Sequence, residues 1–441
     1  MSGIAANRFF WQTGLAIFMV LSALAFGVAR ADDPYGPTPE VLTLDAAVRA
    51  AVADNPGLDE MRRRADAAAT VPSQVGSLPD PRISLGALNV PVDGFALDQE
   101  PMTQMQIGVT QSFPFPGTLG LRREWAESRA AAATESAEEA RLRLTRDVRN
   151  AWWELFYQDR ALATIAHNMD LLGQLVEIAR TKYEVGRGLQ QDVLLAQVEL
   201  SRLQDMQLQV TGLRGVAAAR LNALLGRPQQ PAPQLPSSAG GALPKMPAAA
   251  TLENAAEQSR AAIAVARHDV AAADLSEQLA HKAYLPEFGV SLNYGSRQGR
   301  NADGSPRSDF ASVMLNFSVP LFASTKQDQL VSQRHAEHTA SQRALDETRN
   351  RVRAEIGSAL ASYQQAHDQV TLFDTGILPQ TGQAVASMLA GYQVNKVDFL
   401  TLVRTQVTLY DQELQRWRAL ARAHQALATL YAAVGRETFD E

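Results

Sequence analysis

The sequence predicts a mostly α-helical chain with a small β part. Duplicated long-helix hairpins form an α-barrel, and four strands per chain contribute to a trimeric, twelve-stranded membrane β-barrel. Three observations carry this prediction. The second half of the chain repeats the first at a fixed offset. Each half contains short segments in which apolar and polar residues alternate. Each half also contains an apolar-periodic stretch far longer than an ordinary globular helix.

The repeat is read directly. Tyr183, Val185, Gln197, Val198, Leu200, Leu221, Ala223, Gly226 and Arg227 recur 209 residues later as Tyr392, Val394, Gln406, Val407, Leu409, Leu430, Ala432, Gly435 and Arg436. Upstream, with a slightly different offset, Ser112-Phe113-Pro114 parallels Ser318-Val319-Pro320, and Thr43-Leu44-Asp45 parallels Thr251-Leu252-Glu253. A period of roughly 200 residues is too long for a solenoid unit and reads as a single duplication. The expected organisation is a leader over 1–31, a first repeat over 32–227, a linker over 228–250, a second repeat over 251–436 and a tail over 437–441. The linker is rich in Pro, Gln, Ser, Ala and Gly.

The leader rests on Arg8, the apolar run Phe9–Val28 and the small residues of Ala29-Arg30-Ala31. This is the pattern of an export signal, with cleavage expected after Ala31. No later segment reaches the ~18 consecutive apolar residues of a spanning helix, so membrane insertion must use strands. The 441 residues include no cysteine, which excludes disulfides, thiolate metal sites, a cysteine nucleophile and an acylated-cysteine anchor. With 41 basic residues against 47 acidic ones and no basic stripe, no nucleic-acid partner is expected.

The elements follow in order within each half. A helix of about thirty residues is expected over Thr43–Ala69 and again over Thr251–Ala283. Strands come next. Met105, Ile107 and Val109 alternate with Gln104, Gln106, Gly108 and Thr110. Phe288, Val290, Leu292 and Tyr294 alternate with Gly289, Ser291, Asn293 and Gly295. Val313, Leu315 and Phe317 alternate with Ser312, Met314 and Asn316, and Ile83, Leu85 and Ala87 do so less cleanly. Segments of about ten residues with one apolar face suit tilted strands crossing a bilayer, with the polar face toward water.

A long helix is expected from Thr118 to Val185, with Thr118 as a candidate N-cap. Val148, Trp152, Leu155, Leu162, Ile165, Met169, Leu172, Val176, Ala179 and Tyr183 supply steps of three and four, with Asp159 as the polar break. The second copy starts at Ser324, also a candidate N-cap, and Pro379 should kink or split it. Return helices are expected over Gln190–Leu225 and Phe399–Val434, ended by Gly226 and Gly435. The hairpin turns contain Gly186, Gly188 and Asn395, residues that tolerate the left-handed conformation.

Closure sets the assembly. Four strands cannot close a membrane barrel, and open strand edges are not viable in lipid. Two chains would supply eight strands, whose interior side chains fill. Three supply twelve and leave a lumen, with the helices forming a second barrel below.

Several motifs together mark a resemblance. They are Asn55-Pro56, Phe113-Pro114-x-Pro116-Gly117, Tyr183-x-Val185-Gly186, Ala196-Gln197 and Leu221-Asn222-x-Leu224-Leu225-Gly226. The chain resembles outer-membrane efflux proteins of the TolC family over nearly its whole mature length. Ser77-Leu78-Pro79-Asp80-Pro81, Asn89-Val90-Pro91 and Gln111–Gly117 look most like the heavy-metal cation branch. The resemblance implies a homotrimer set in outer-membrane lipid, with a large periplasmic part. It implies a passive exit duct that docks a periplasmic adaptor (membrane fusion) protein and works with an inner-membrane pump of the resistance-nodulation-division type. Ducts for drug efflux and type I protein secretion share the architecture, and a structural coiled-coil surface protein is the non-transport alternative.

By the same resemblance, Val185, Gly186, Arg187, Gly188, Val394, Asn395, Lys396 and Val397 form the adaptor-docking tips. Asp192 and Tyr392 form an aperture latch, a carboxylate–phenol hydrogen bond. The acidic ring of better-known members is replaced by Thr401 and Arg404, with Asp398 and Lys396 nearby. No nucleotide, hydrolase or metalloprotease motif is present, so neither an enzyme nor a cofactor is expected. His335 and His338, Met102 and Met105, and Arg62-Arg63-Arg64 read as surface or packing features rather than metal ligands or binding patches. Trp152-Trp153 reads as helix packing with one ring in the seam.

Overall fold

The computed structural model describes residues 41–239 and 242–437. The leader and all but the first residue of the tail lie outside the described residues. The first repeat runs α1 (Leu44–Asp54), α2 (Pro56–Ala69), α3 (Val71–Val75), β1 (Arg82–Leu88), β2 (Gln104–Phe113), α4 (Thr118–Glu184) and α5 (Gln190–Leu224). The second runs α6 (Ala249–Ser259), α7 (Ala261–Lys282), β3 (Phe288–Ser296), β4 (Phe310–Phe317), α8 (Gln327–Leu372), α9 (Leu378–Gln393) and α10 (Phe399–Val434).

The expected single helix that opens each repeat is broken, and at matching places. Asn55 is extended; its side chain accepts from the Leu58 N–H, and Pro56 follows as the first residue of α2. Proline at that position forfeits no helical bond and prevents the helix from running through. In the second repeat Arg260 is the extended residue.

Each break is a socket for the end of its own repeat. Gly226 and Gly435 lie in the left-handed region at φ +70° and +83°. A Cβ added at Gly226 would come within 2.9 Å of the Asp54 carbonyl oxygen, and one at Gly435 within 2.4 Å of the Ser259 oxygen. Asn55 Nδ2 donates to the Leu224 carbonyl, and the Arg260 guanidinium donates to that of Ala432. The two C-terminal helices thus seat their last carbonyls on the polar side chains that the breaks expose.

The long helix α4 spans 67 residues, about 100 Å at 1.5 Å per residue. Most of its predicted seam is buried, with Val148, Trp152, Leu155, Ile165, Leu172 and Ala179 inside. Tyr183, at the tip, is exposed. The polar break, Asp159, is ion-paired with Arg214 of α5 at 2.6 Å. Both tryptophans are buried, not one: Trp152 donates to the Leu42 carbonyl and Trp153 stacks flat on His424 of α10 at 3.8 Å.

Neither expected N-cap is used. Gly117 precedes α4 at φ +86°, a conformation closed to a threonine cap, so Thr118 becomes the first helical residue. Turns occupy residues 321–326, and α8 starts at Gln327 rather than Ser324. Pro379 interrupts the α-helical hydrogen bonding of the second long helix without breaking its helical backbone: a π-helical turn over Phe373–Ile377 joins α8 directly to α9.

The four strands form one antiparallel sheet in the order β1-β2-β3-β4, so β2 and β3 join the two repeats. The residues of the linker outside Gly240 and Gly241 form a strap. The Gln234 carbonyl accepts from the Leu42 N–H, Ser237 from Arg160 and Pro244 from Tyr363.

Two stability outcomes follow. The Arg260 side chain is 4% exposed and holds Glu139 at 2.9 Å across the α4–α7 contact. Arg260→Ala leaves Glu139 with Arg143 alone, at 2.7 Å, and takes the guanidinium from the Ala432 carbonyl; it should cost about 1–3 kcal/mol, read as a lower midpoint in denaturant unfolding. Burial pushes the His424 imidazole down to about 4, and its Nε2 has no hydrogen-bond partner. The unfolded chain protonates there near 6.5. Stability is therefore full above that pH and falls by about 3 kcal/mol as pH drops toward 4. An acid series of unfolding midpoints should show the loss in the natural chain and not in His424→Phe.

Candidate functional site

The candidate site has two parts, the sheet and the hairpin tips. On the sheet, register sorts the side chains. Ile83, Ile107, Val109, Leu292, Tyr294, Val313 and Leu315 share one face, because Ile83 pairs with Val109, Val109 with Leu292 and Leu292 with Val313. All are exposed, as is Leu85, which pairs with Ile107 on the same face; Leu85 and Val313 reach 79% and 72%. The opposite face carries Ser84, Gln106, Gly108, Thr110, Ser291, Asn293 and Ser312, with Met314 as an apolar exception. Thr110 and Ser291 share a hydroxyl hydrogen bond of 2.9 Å across that face. An apolar face of this extent requires a hydrocarbon neighbour, and the polar face suits water.

At the tips, α4 turns into α5 and α9 into α10 by the same device. Arg187 N–H donates to the Lys182 carbonyl and Gly186 N–H to that of Tyr183. Lys396 N–H donates to the Gly391 carbonyl and Asn395 N–H to that of Tyr392. Gly186 and Asn395 hold the left-handed position at φ +72° and +60°. This is the paired-bond helix ending that satisfies the last carbonyls. The predicted tip residues 185–188 and 394–397 therefore occupy equivalent turns, and Val185 and Val394 are both 63% exposed.

The Asp192–Tyr392 hydrogen bond expected at the aperture is not formed in the protomer. Tyr392 is buried, and its hydroxyl has no hydrogen-bond partner. Its ring packs on Phe399, with centroids 5.3 Å apart, and lies 4.0 Å beneath the Lys182 ammonium. Burial raises the phenol above its ordinary range, and the Asp192 charge adds to this. Burial likewise raises the Asp192 carboxyl against a Leu189 backbone hydrogen bond, with Asp398 adding repulsion and Lys182 opposing it. The carboxylate and phenol are thus neighbours held by other partners.

Asp398, an alternative acidic tip residue, is a helix cap. Its two oxygens accept from the Thr401 N–H and hydroxyl at 2.9 and 2.7 Å, which holds its carboxyl below the usual range. His335 and His338 both meet Glu277 of α7, at 3.0 and 2.9 Å. Among the described residues no group of three His, Cys, Asp or Glu side chains is placed to hold a metal ion. The residue that sequence reasoning missed is Lys182. Its signal was present in the repeat, where the counterpart 209 residues on is Gly391.

Sheet and hairpins together define the protomer of a channel that crosses the membrane on strands and continues as helices. The sequence pattern of the outer membrane efflux protein family matches residues 47–227 and 252–436, and the chain belongs to that family. It is an outer-membrane transport protein with a large helical part in the periplasm. The chain is 24% identical to the cobalt-zinc-cadmium resistance protein CzcC of Cupriavidus metallidurans, over 98% of this chain and all of that one. Its fold is that of the outer-membrane channel OprN, with a TM-score of 0.75, 18% identity and coverage of 92% and 94% of the two chains. The fold of CusC matches equally, with a TM-score of 0.75, 15% identity and coverage of 92% and 96%.

The unpartnered hydroxyl sets an expected outcome. Tyr392→Phe removes a group that makes no hydrogen bond and should leave resting single-channel conductance in planar bilayers unchanged. An increase would show that the hydroxyl is bonded to a neighbouring protomer.

Proposed function

We propose that the chain is the passive exit duct of a tripartite efflux system that exports divalent heavy-metal cations. Three copies close a twelve-stranded barrel through the free edges of β1 and β4. The tips at 185–188 and 394–397 dock a periplasmic adaptor, and an inner-membrane pump of the resistance-nodulation-division type supplies the energy. Asp192 and Tyr392 lie at the constriction where the hairpins pack.

The observation that carries the duct is the two-faced sheet with open edges. Strand β1 pairs only with β2 and β4 only with β3. Edges of this kind are viable in lipid only when another chain pairs with them. Full-length similarity to a metal-resistance protein favours metal cations over drugs or secreted proteins. The Thr401 and Arg404 positions supply no acidic ring, so selection for cations belongs to the pump rather than to the duct.

Deleting the gene should lower the concentration of cobalt, zinc or cadmium that cells tolerate several-fold, with plasmid-borne protein restoring it. A shift confined to drugs would overturn the metal assignment and leave the duct standing. A detergent-solubilised particle containing one chain would overturn the duct itself.

A further inference from the structure

We propose that Lys182 is a clasp that fastens the turn of the second hairpin to the first, and so ties the outer tip to the packing around Tyr392. Its channel consequence rests on the duct reading above. The ammonium of Lys182 reaches across from α4 to three groups of the other hairpin. It donates to the Tyr392 carbonyl at 2.6 Å and to Asn395 Oδ1 at 2.8 Å, and sits 4.0 Å above the Tyr392 ring centroid. An ammonium has three donors and no acceptor, so a carbonyl, an amide oxygen and a π face satisfy it. The carbonyl belongs to the last turn of α9, where the helix dipole favours a cation.

The first hairpin is built around this lysine, and the second excludes one. A Cβ added at Gly188 would lie 2.9 Å from the Lys182 Cβ and 3.0 Å from the Tyr183 backbone nitrogen, so glycine lets the turn close against the side-chain-bearing end of α4. In the second hairpin the sizes are exchanged: Val397 stands where Gly188 would be and Gly391 where Lys182 would be. A Cβ at Gly391 would come within 2.6 Å of Val397 Cγ2. The turn residues differ in the same sense. Gly186 and Asn395 hold the same left-handed position, but only Asn395 offers a side-chain oxygen.

The consequence is a coupling between two places. Asn395 is on the exposed turn, and Tyr392 is buried among Phe399, Leu402 and Val403. A partner that draws Asn395 away from Lys182 also removes the cation from the Tyr392 ring and carbonyl. Binding at the tip and loosening of the hairpins are then linked equilibria.

The test uses purified full-length protein in detergent and in planar bilayers. Lys182→Met removes the ammonium and keeps the stem. Asn395→Gly keeps the turn, as Gly186 does, and removes the acceptor. Arg180→Met, which removes an exposed charge two residues away that pairs with Glu184, controls for general electrostatics. Lys182→Met should speed amide exchange of residues 391–397 several-fold without changing exchange at residues 182–188. It should also raise resting conductance. Asn395→Gly should raise conductance, and the double variant should match Lys182→Met rather than add to it. Unchanged exchange and conductance in Lys182→Met, additive effects, or an equal effect of Arg180→Met would each overturn the clasp. Faster exchange with no current in any protein, natural chain included, would support the clasp and overturn the duct.

Discussion

Along β1 and β4 the outward-facing backbone N–H and C=O groups have no strand partner among the described residues, because the sheet ends there. In water such groups are solvated. In hydrocarbon each unmade bond costs several kcal/mol, more than any single side-chain contact returns. The sorted faces of the sheet place it in hydrocarbon, so its edges must be paired. Everything below inherits this requirement. The β2–β3 pairing runs from Phe113 and Phe288 to Met105 and Ser296 and stitches the two repeats side by side. The long helices that leave β2 and β4 therefore start from fixed places along one sheet.

The helical part is held together by a device used twice. Each repeat opens on a helix broken near its middle, and the break exposes a polar side chain and a backbone carbonyl. Each repeat closes on a glycine whose missing Cβ lets the chain reach that break. The first socket uses the amide of Asn55, and the second uses the guanidinium of Arg260 with Glu139 and Glu355 beside it. Geometry is kept while chemistry differs, as expected when a duplicated fold is selected for backbone placement. The charged version binds four elements at once, since Arg260 touches α4, α8 and α10 from the head of α7.

Much of this was legible in the sequence because periodicity and repetition are local signals. The strands, the α4 seam, the interruption at Pro379 and the equivalence of Gly186 with Asn395 all follow from spacing. The breaks at Asn55 and Arg260 were harder to see. Asn55-Pro56 carries a cap and a proline, which is a boundary signal. Arg260 has no such mark, and its break is imposed by burial against the end of α10. The expected N-caps are not used because the residues before the helices, Gly117 in the left-handed region and Lys326 in the right-handed one, lack the extended backbone a side-chain cap needs. Lys182 was illegible for a tertiary reason: it meets the Tyr392 carbonyl and ring 210 residues away in sequence.

The tips show where duplication stops dictating identity. A symmetric duplicated pair of hairpins would pack its two tips through equivalent residues. Here one position, 182 in the first copy and 391 in the second, is lysine in one and glycine in the other. The next positions compensate in volume, Gly188 against Val397, so both turns keep the same backbone hydrogen bonds. The result is a directional contact: the first hairpin grips the second within a chain, and the second has no equivalent side chain with which to grip in return. In a closed ring of alternating hairpins, that makes contacts within a protomer chemically distinct from contacts between protomers.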